Sequence, residues 1–211
     1  MELDNWAYEK ELFGQNINII GGVDEVGRGP LNGSVVTACV VLPRDFVLEG
    51  LTDSKKLTEK KREQYYDYII GHATCYAIGE CSASEIDQYN ILEATKIAMK
   101  RAIDKVIEQI DLQYVLIDGN MKMDLDIPYK SIVKGDAKSI SIAAASVVAK
   151  VTRDRMMYEL DKKYPMYGYK KHKGYPTKSH IEAINKYGLI EGYRKTYGPV
   201  KDIINKNQVE K

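Results

Sequence analysis

An α/β protein is expected from this chain: a mixed central sheet flanked by helices, with a helical extension at the C-terminal end. Short β-branched runs alternate with stretches of helical period, the pattern of strands and helices that share one sheet. The run Ile140 to Ala149, rich in small apolar residues, suits a helix pressed closely against such a sheet. Beyond Pro165 the chain turns to short, basic, tyrosine-rich phrases, with 8 of the 16 tyrosines between Tyr158 and Tyr197. The expected division is therefore a core over residues 1–165 and a basic, tyrosine-rich helical lobe over 166–211, the two forming one folding unit. At 211 residues, 44% apolar and 29% charged, wholesale disorder and fibrous repeats are excluded.

Taken in order, residues 17–23 (INIIGGV) and 34–42 (SVVTACVVL) read as buried strands. The intervening DEVGRGPLNG holds three glycines and a proline, a tight connection whose backbone lies open to close approach. A helix is expected from a cap near Thr58 to about Gly71, then a strand over 73–79, and Ser82 and Glu85 have the spacing of a capping box. Residues 90–110 read as an amphipathic helix through Leu92, Met99, Ile103, Val106 and Ile110. Strands follow at 114–117 and 129–133, and the small-residue helix occupies about 139–163.

The N-terminal MELDNWAYEKELF is acidic where a signal peptide would be basic and then apolar, and no run approaches the roughly 18 apolar residues of a membrane span. A cytoplasmic protein without membrane contact is the expectation. Cys39, Cys75 and Cys81 are odd in number and lack CxxC spacing, so they read as buried thiols. The net charge of +1 conceals an asymmetry: 16 basic and 23 acidic side chains in residues 1–149, against 15 and 7 in 150–211. A basic region of that kind can hold a polyanion locally, or it can be a solvated face of lysines.

Three acidic positions follow apolar strands: Asp24-Glu25 after GGV, Asp118 after YVLI, and Asp136 after SIVKG. Carboxylates gathered at converging strand ends repel one another unless divalent cations hold them, and hard oxygen donors suit Mg²⁺ or Mn²⁺. Two such ions about 4 Å apart can activate a water and stabilise the leaving oxygen in phosphodiester hydrolysis. Each acid alone also fits a plain role: Asp118-Gly119 as a turn, Asp136 as a helix cap, Asp24-Glu25 as a surface turn.

At these residues a family resemblance appears. GVDEVGRGPLNGSVV (22–36), DSKKL (53–57), NILEAT (90–95), LIDGN (116–120), GDAKSISIAAASVVAKVTRDR (135–155) and HKGYPTKSH (172–180) resemble, in order, the motif series of type 2 ribonuclease H, bacterial ribonuclease HII. The resemblance implies a ribonuclease H-like fold and four metal-binding, catalytic carboxylates at Asp24, Glu25, Asp118 and Asp136. It implies hydrolysis of the RNA strand of RNA/DNA hybrids, and nicking of duplex DNA 5′ to an isolated ribonucleotide, with 5′-phosphate and 3′-hydroxyl products, in ribonucleotide removal and DNA replication or repair. Where the family commonly has proline after the last loop glycine, this chain has Ser34, which is expected to loosen the loop without removing a ligand. No sliding-clamp peptide is recognisable near the C-terminal end, and a monomer is expected.

To sense one ribose in a DNA strand, a protein must read a single 2′-hydroxyl, both donor and acceptor. Gly27-Arg28-Gly29 offers exposed backbone groups for this, and Arg28 adds a charged contact to a phosphate. Tyr175 matches the family tyrosine that stacks beside the ribose. Ser54, Lys55 and Asn90 are the candidate phosphate contacts, followed by Lys138, Lys150 and Arg153; His172 and His180 read as phosphate-facing or structural. Two rival readings stay open: a DNA nuclease or resolvase with the same metal architecture, which would cut duplexes lacking ribose, and a nucleic-acid-binding module without turnover.

Overall fold

The computed structural model describes residues 4–52 and 54–209. Five strands form one sheet in the order β3-β2-β1-β4-β5: β1 (Ile20–Val26), β2 (Val35–Val41), β3 (Cys75–Cys81), β4 (Tyr114–Asp118) and β5 (Tyr129–Ile132). The β1/β2 and β2/β3 pairs are antiparallel, whereas β1/β4 and β4/β5 are parallel. The sheet is thus mixed, as expected. Its parallel half matters most, because it brings the C-terminal ends of β1, β4 and β5 to a single edge.

Helices cover both faces: α1 (Ala7–Phe13), α2 (Glu59–His72), α3 (Ala83–Ile107) and α4 (Ile140–Lys163), followed by α5 (Tyr169–His172), α6 (Lys178–Tyr187) and α7 (Gly198–Val209). On one face α4 and α2 pack through Val147, Val148, Val151 and Ile69 onto Ala38 and Val40 of β2. On the other, α3 lays Met99, Ala102, Ile103 and Val106 against Val23, Cys39 and Ala77. The small residues of α4 have the expected purpose. A Cβ built on Gly22 of β1 would lie 2.1 Å from the Ser141 backbone, so helix and strand touch main chain to main chain.

Several sequence boundaries shift. Strand β1 runs to Val26 rather than ending at Val23, so Asp24 and Glu25 are paired residues of its ladder just before Val26, not the turn after it. The strand expected over 73–79 lies two residues later. Helix α1 was not foreseen; its Glu9 accepts from Ser139 Oγ (2.5 Å) and Ser141 N (3.1 Å), capping the start of α4. The Thr58 cap and the Ser82/Glu85 capping box are both present, and all three cysteines are buried. The helix expected to begin at residue 90 instead begins at Ala83 and breaks at Asn90 (φ 67°, ψ 165°). Asn90 Oδ1 restarts it by accepting from Leu92 N (2.9 Å) and Glu93 N (3.2 Å).

Candidate active site

Asp24 sits at the acid edge, 7% exposed. In the β1/β4 register Val23 faces Ile117, so one step along the strands brings Asp24 beside Asp118. Burial pushes the Asp24 carboxyl well above the usual range, and the charges of Glu25 and Asp118 push it further; a Ser146 hydroxyl and the Glu25 N–H, the latter at 2.7 Å, pull it back. Ser146, on α4, shares a 2.9 Å hydrogen bond with Ser54. The hydroxyls thus tie the turn at Ser54–Lys56 to the buried acid. Glu25 is raised chiefly by burial, then lowered by Arg28, whose Nη1 lies 3.5 Å away.

Asp118 Oδ1 accepts from Gly135 N at 2.6 Å and Asp136 N at 3.4 Å, which draws the short helical turn Gly135–Ala137 up to the end of β4. The four acids are therefore brought to one edge: Asp24, Glu25 and Asp118 by the parallel β1/β4 register, against their mutual repulsion, and Asp136 through its backbone. Among the described residues no three His, Cys, Asp or Glu side chains are already disposed around one metal position. The donor set nevertheless fits a hard divalent cation. It is all carboxylate, it gathers like charges around the buried Asp24, and Glu25 Oε2 is buried without any hydrogen-bond partner.

The loop after β1 is built around backbone. Gly27 has φ 94°, and a Cβ there would meet Arg153 Nε at 2.3 Å, so no side chain fits. Arg28 and Gly29 are exposed. The Tyr175 ring, 41% exposed, lies against Gly29, its Cε1 3.3 Å from where a Cβ would stand. Tyr175 is held from below by two neutral histidines. His180 Nδ1 donates to Tyr175 O (2.8 Å) while its Nε2 accepts from Tyr193 (2.9 Å). His172 stacks on His180 at 4.1 Å and accepts from Gly174 N (3.1 Å). Burial pushes His180 down to about 4. Both histidines are structural, and neither faces phosphate.

Other phosphate candidates divide. Lys55 and Asn90 are exposed, although Asn90 Oδ1 is occupied as a helix cap. Ser54 is 3% exposed, with its hydroxyl on Ser146 and its carbonyl accepting from Arg62 Nη1 at 3.1 Å. Arg153, 1% exposed, donates to the carbonyls of Ser34 (3.2 Å), Lys173 (2.9 Å) and Asn32 (3.1 Å), and so cannot be a surface phosphate contact. Lys150 pairs with Asp154 at 2.7 Å, and Lys138 Nζ donates to Val133 O at 2.8 Å. What Arg153 grips at Ser34 is the backbone carbonyl, which any residue there would supply. Sequence reasoning missed Ser146 and Arg194. A serine amid the apolar run of α4 was a signal for the first; the second carried none.

Carboxylates converging at parallel strand ends, beside a loop that presents bare backbone, frame a metal-dependent phosphodiester hydrolase of ribonuclease H-like fold. Ribonuclease H2 from Pyrococcus horikoshii OT3 superposes with a TM-score of 0.77 at 26% identity, over 90% of this chain and 99% of that one. A ribonuclease HIII designated Bst, solved in complex with Mn²⁺, shares the fold at a TM-score of 0.71 and 17% identity, over 92% of this chain and 71% of that one. The family model for ribonuclease HII matches residues 21–197. The ribonuclease HII of Bacillus mycoides (strain KBAB4) is 54% identical over 204 residues, 97% of this chain and 78% of that protein. The chain belongs to the ribonuclease HII family, the bacterial type 2 ribonucleases H. It is a divalent-metal-dependent endoribonuclease that acts on RNA/DNA hybrids. Among the described residues no helix is long and apolar enough to cross a membrane.

Proposed function

We propose that this endoribonuclease, besides cutting the RNA strand of hybrids, nicks duplex DNA 5′ to single embedded ribonucleotides, using two divalent ions and leaving 5′-phosphate and 3′-hydroxyl ends. The observation that carries the reading is continuity along one strand: β1 ends in Asp24-Glu25-Val26 and passes directly into Gly27-Arg28-Gly29, against which the Tyr175 ring lies. Hydrolysis and ribose sensing then fall on adjacent nucleotides.

Asp24, Glu25, Asp118 and Asp136 are the residues that hold the ions, Mg²⁺ or Mn²⁺. Bound there, such ions supply water activation and neutralise charge growing on the leaving oxygen. Ser146 keeps the Asp24 carboxyl oriented, and Gly135 N does the same for Asp118. The backbone of Gly27, Arg28 and Gly29 meets the 2′-hydroxyl, and the Tyr175 phenol stacks on the ribose and bonds to it. Arg28 and Lys55 meet phosphates with charge, Asn90 with its amide and Ser54 through its backbone. Residues 1–165 act as the catalytic core and the basic lobe from 166 onward holds the duplex, one folding unit working as a monomer in the cytoplasm and serving ribonucleotide removal.

The test is a labelled DNA duplex containing one ribonucleotide, incubated with and without Mg²⁺ or Mn²⁺ beside an all-DNA control. Cleavage only of the ribonucleotide-containing strand, only with the ion, is expected. Equal cleavage of both duplexes would establish the resolvase alternative instead.

A further inference from the structure

Arg153 and Arg194 are the largest fully buried polar side chains, at 1% and 0% exposure, and among the described residues neither pairs with a carboxylate. Buried charge without a counter-charge is costly unless every N–H finds an acceptor. Here main-chain carbonyls take that place. Arg194 Nη2 donates to Gly27 O at 2.6 Å, Nη1 to Arg28 O at 2.9 Å, and Nε and Nη2 to Gly33 O at 3.0 and 2.8 Å. Tyr197 adds a second donor to Arg28 O at 2.6 Å and accepts from Arg194 Nη1 at 3.0 Å. The residues of the lobe therefore reach beneath the loop that follows the acid pair, and grip two successive peptide groups of it.

A trans peptide is planar, with its C=O and N–H on opposite sides. With the carbonyls of Gly27 and Arg28 turned inward onto Arg194, the N–H groups of Arg28 and Gly29 are turned the other way, toward the exposed surface. Among the described residues neither N–H makes a backbone hydrogen bond. A cation on the carbonyl end of a peptide withdraws electron density and strengthens the donor at the other end. The Tyr175 ring stands against this outward side at Gly29. Arg153 fixes the remaining distance, because it bonds both the loop, at Asn32 and Ser34, and Lys173, two residues before Tyr175.

We infer that Arg194, seconded by Tyr197, is a positioning residue for ribose recognition: it orients and polarises two peptide groups so that the N–H groups of Arg28 and Gly29 present prearranged donors to the 2′-hydroxyl. The inference rests on the reading of Gly27-Arg28-Gly29 as the ribose contact, and the test separates the two.

Three full-length variants are compared with the parent: Tyr197→Phe, Arg194→Lys and Gly29→Ala. For each, kcat/KM is measured on a duplex with a single ribonucleotide, together with Kd for the same duplex in all-DNA form and the Tm. Tyr197→Phe is expected to lower kcat/KM about threefold and Arg194→Lys, a point charge that cannot fork over both carbonyls, about tenfold. All-DNA Kd should stay within about twofold of the parent in both, which a general loosening of the lobe would not allow. Parent-like cleavage by both variants, or equal losses in cleavage and all-DNA binding, overturns the inference. If Arg194→Lys does not fold, Tyr197→Phe decides, since it leaves the guanidinium in place. Gly29→Ala places a methyl between the loop and Tyr175 and must impair single-ribonucleotide cleavage if the loop reads ribose. Parent-like activity there sinks the ribose reading itself, whereas impairment there beside parent-like Arg194→Lys and Tyr197→Phe sinks only the part given to Arg194.

Discussion

The acid edge and the loop beside it both bury charge, and they resolve it in opposite ways. At the edge, Asp24, Glu25 and Asp118 press like charges together, and Glu25 Oε2 is left with no partner. Under the loop, Arg153 and Arg194 bring two positive charges with no carboxylate, yet the guanidinium nitrogens are satisfied by carbonyls. One site is incomplete until something positive arrives from outside. The other is complete within the chain, and its order does not depend on any cofactor. An acid edge can thus stay open to ions while the loop beside it stays preset.

The comparison breaks most sharply at the acids. Asp24→Asn, Asp118→Asn or Asp136→Asn should each lower kcat by about 10³-fold or more, because the amide keeps the shape and discards the charge that holds the cation. Duplex binding should survive far better than turnover. A kcat within tenfold of the parent in all three would remove the metal assignment.

On the reader side, Tyr175→Ala should cut kcat/KM on a single-ribonucleotide duplex by about 5- to 150-fold through lost stacking. The loss on an all-RNA/DNA hybrid should be smaller, because adjacent riboses offer other registers, and Tyr175→Phe should fall between. Equal losses on both substrates would contradict the assigned role.

Stability sharpens the contrast further. Arg153→Met leaves the carbonyls of Ser34, Lys173 and Asn32 without their donor, which costs about 3 kcal/mol and lowers Tm by roughly 6–12 °C, with or without divalent ions. Asp24→Asn should do the reverse in metal-free buffer. The folded protein holds the Asp24 proton to higher pH than the unfolded chain, whose value is near the ordinary 3.8. The ionised group therefore weakens the fold increasingly as pH rises through that window, and the full penalty is present at pH 7 if the folded value lies below it. Removing the charge should raise Tm by about 2–5 °C at pH 7. Adding Mg²⁺ should stabilise the parent and leave Asp24→Asn unmoved, as read by thermal melts in matched buffers.

The convergence of the acids was legible because Asp24, Glu25 and Asp118 lie at the ends of apolar β-runs, which parallel pairing turns into proximity, and Asp136 follows just past a third. The motif series extended this to Tyr175 and the loop glycines. The helix break at Asn90 was legible too in retrospect, since Asn90 and Glu93 have capping-box spacing, but the apolar period continues across it and masks it. Arg153 and Arg194 could not be read. An arginine in a basic stretch looks solvated, and only tertiary structure shows that Arg194 lies beneath residues more than 160 positions earlier. For the same reason the excess charge of residues 150–211 overstates their surface charge, as two of their cations, Arg153 and Arg194, are internal.

That reach has a consequence in time. Sheet pairing between β1 and β2 needs only neighbouring segments, and the acid strands are all present once β5 and the turn after it have left the ribosome. The carbonyls of Gly27 and Arg28, made near the start of synthesis, wait for a guanidinium 167 and 166 residues later. Contacts of such high separation form late, after the loop-closure entropy has been met by the rest of the sheet. A nascent chain halted before Arg194 would carry its carboxylates while the loop beside them still lacked its guanidinium, so the fastening of that loop is the later of the two to be acquired.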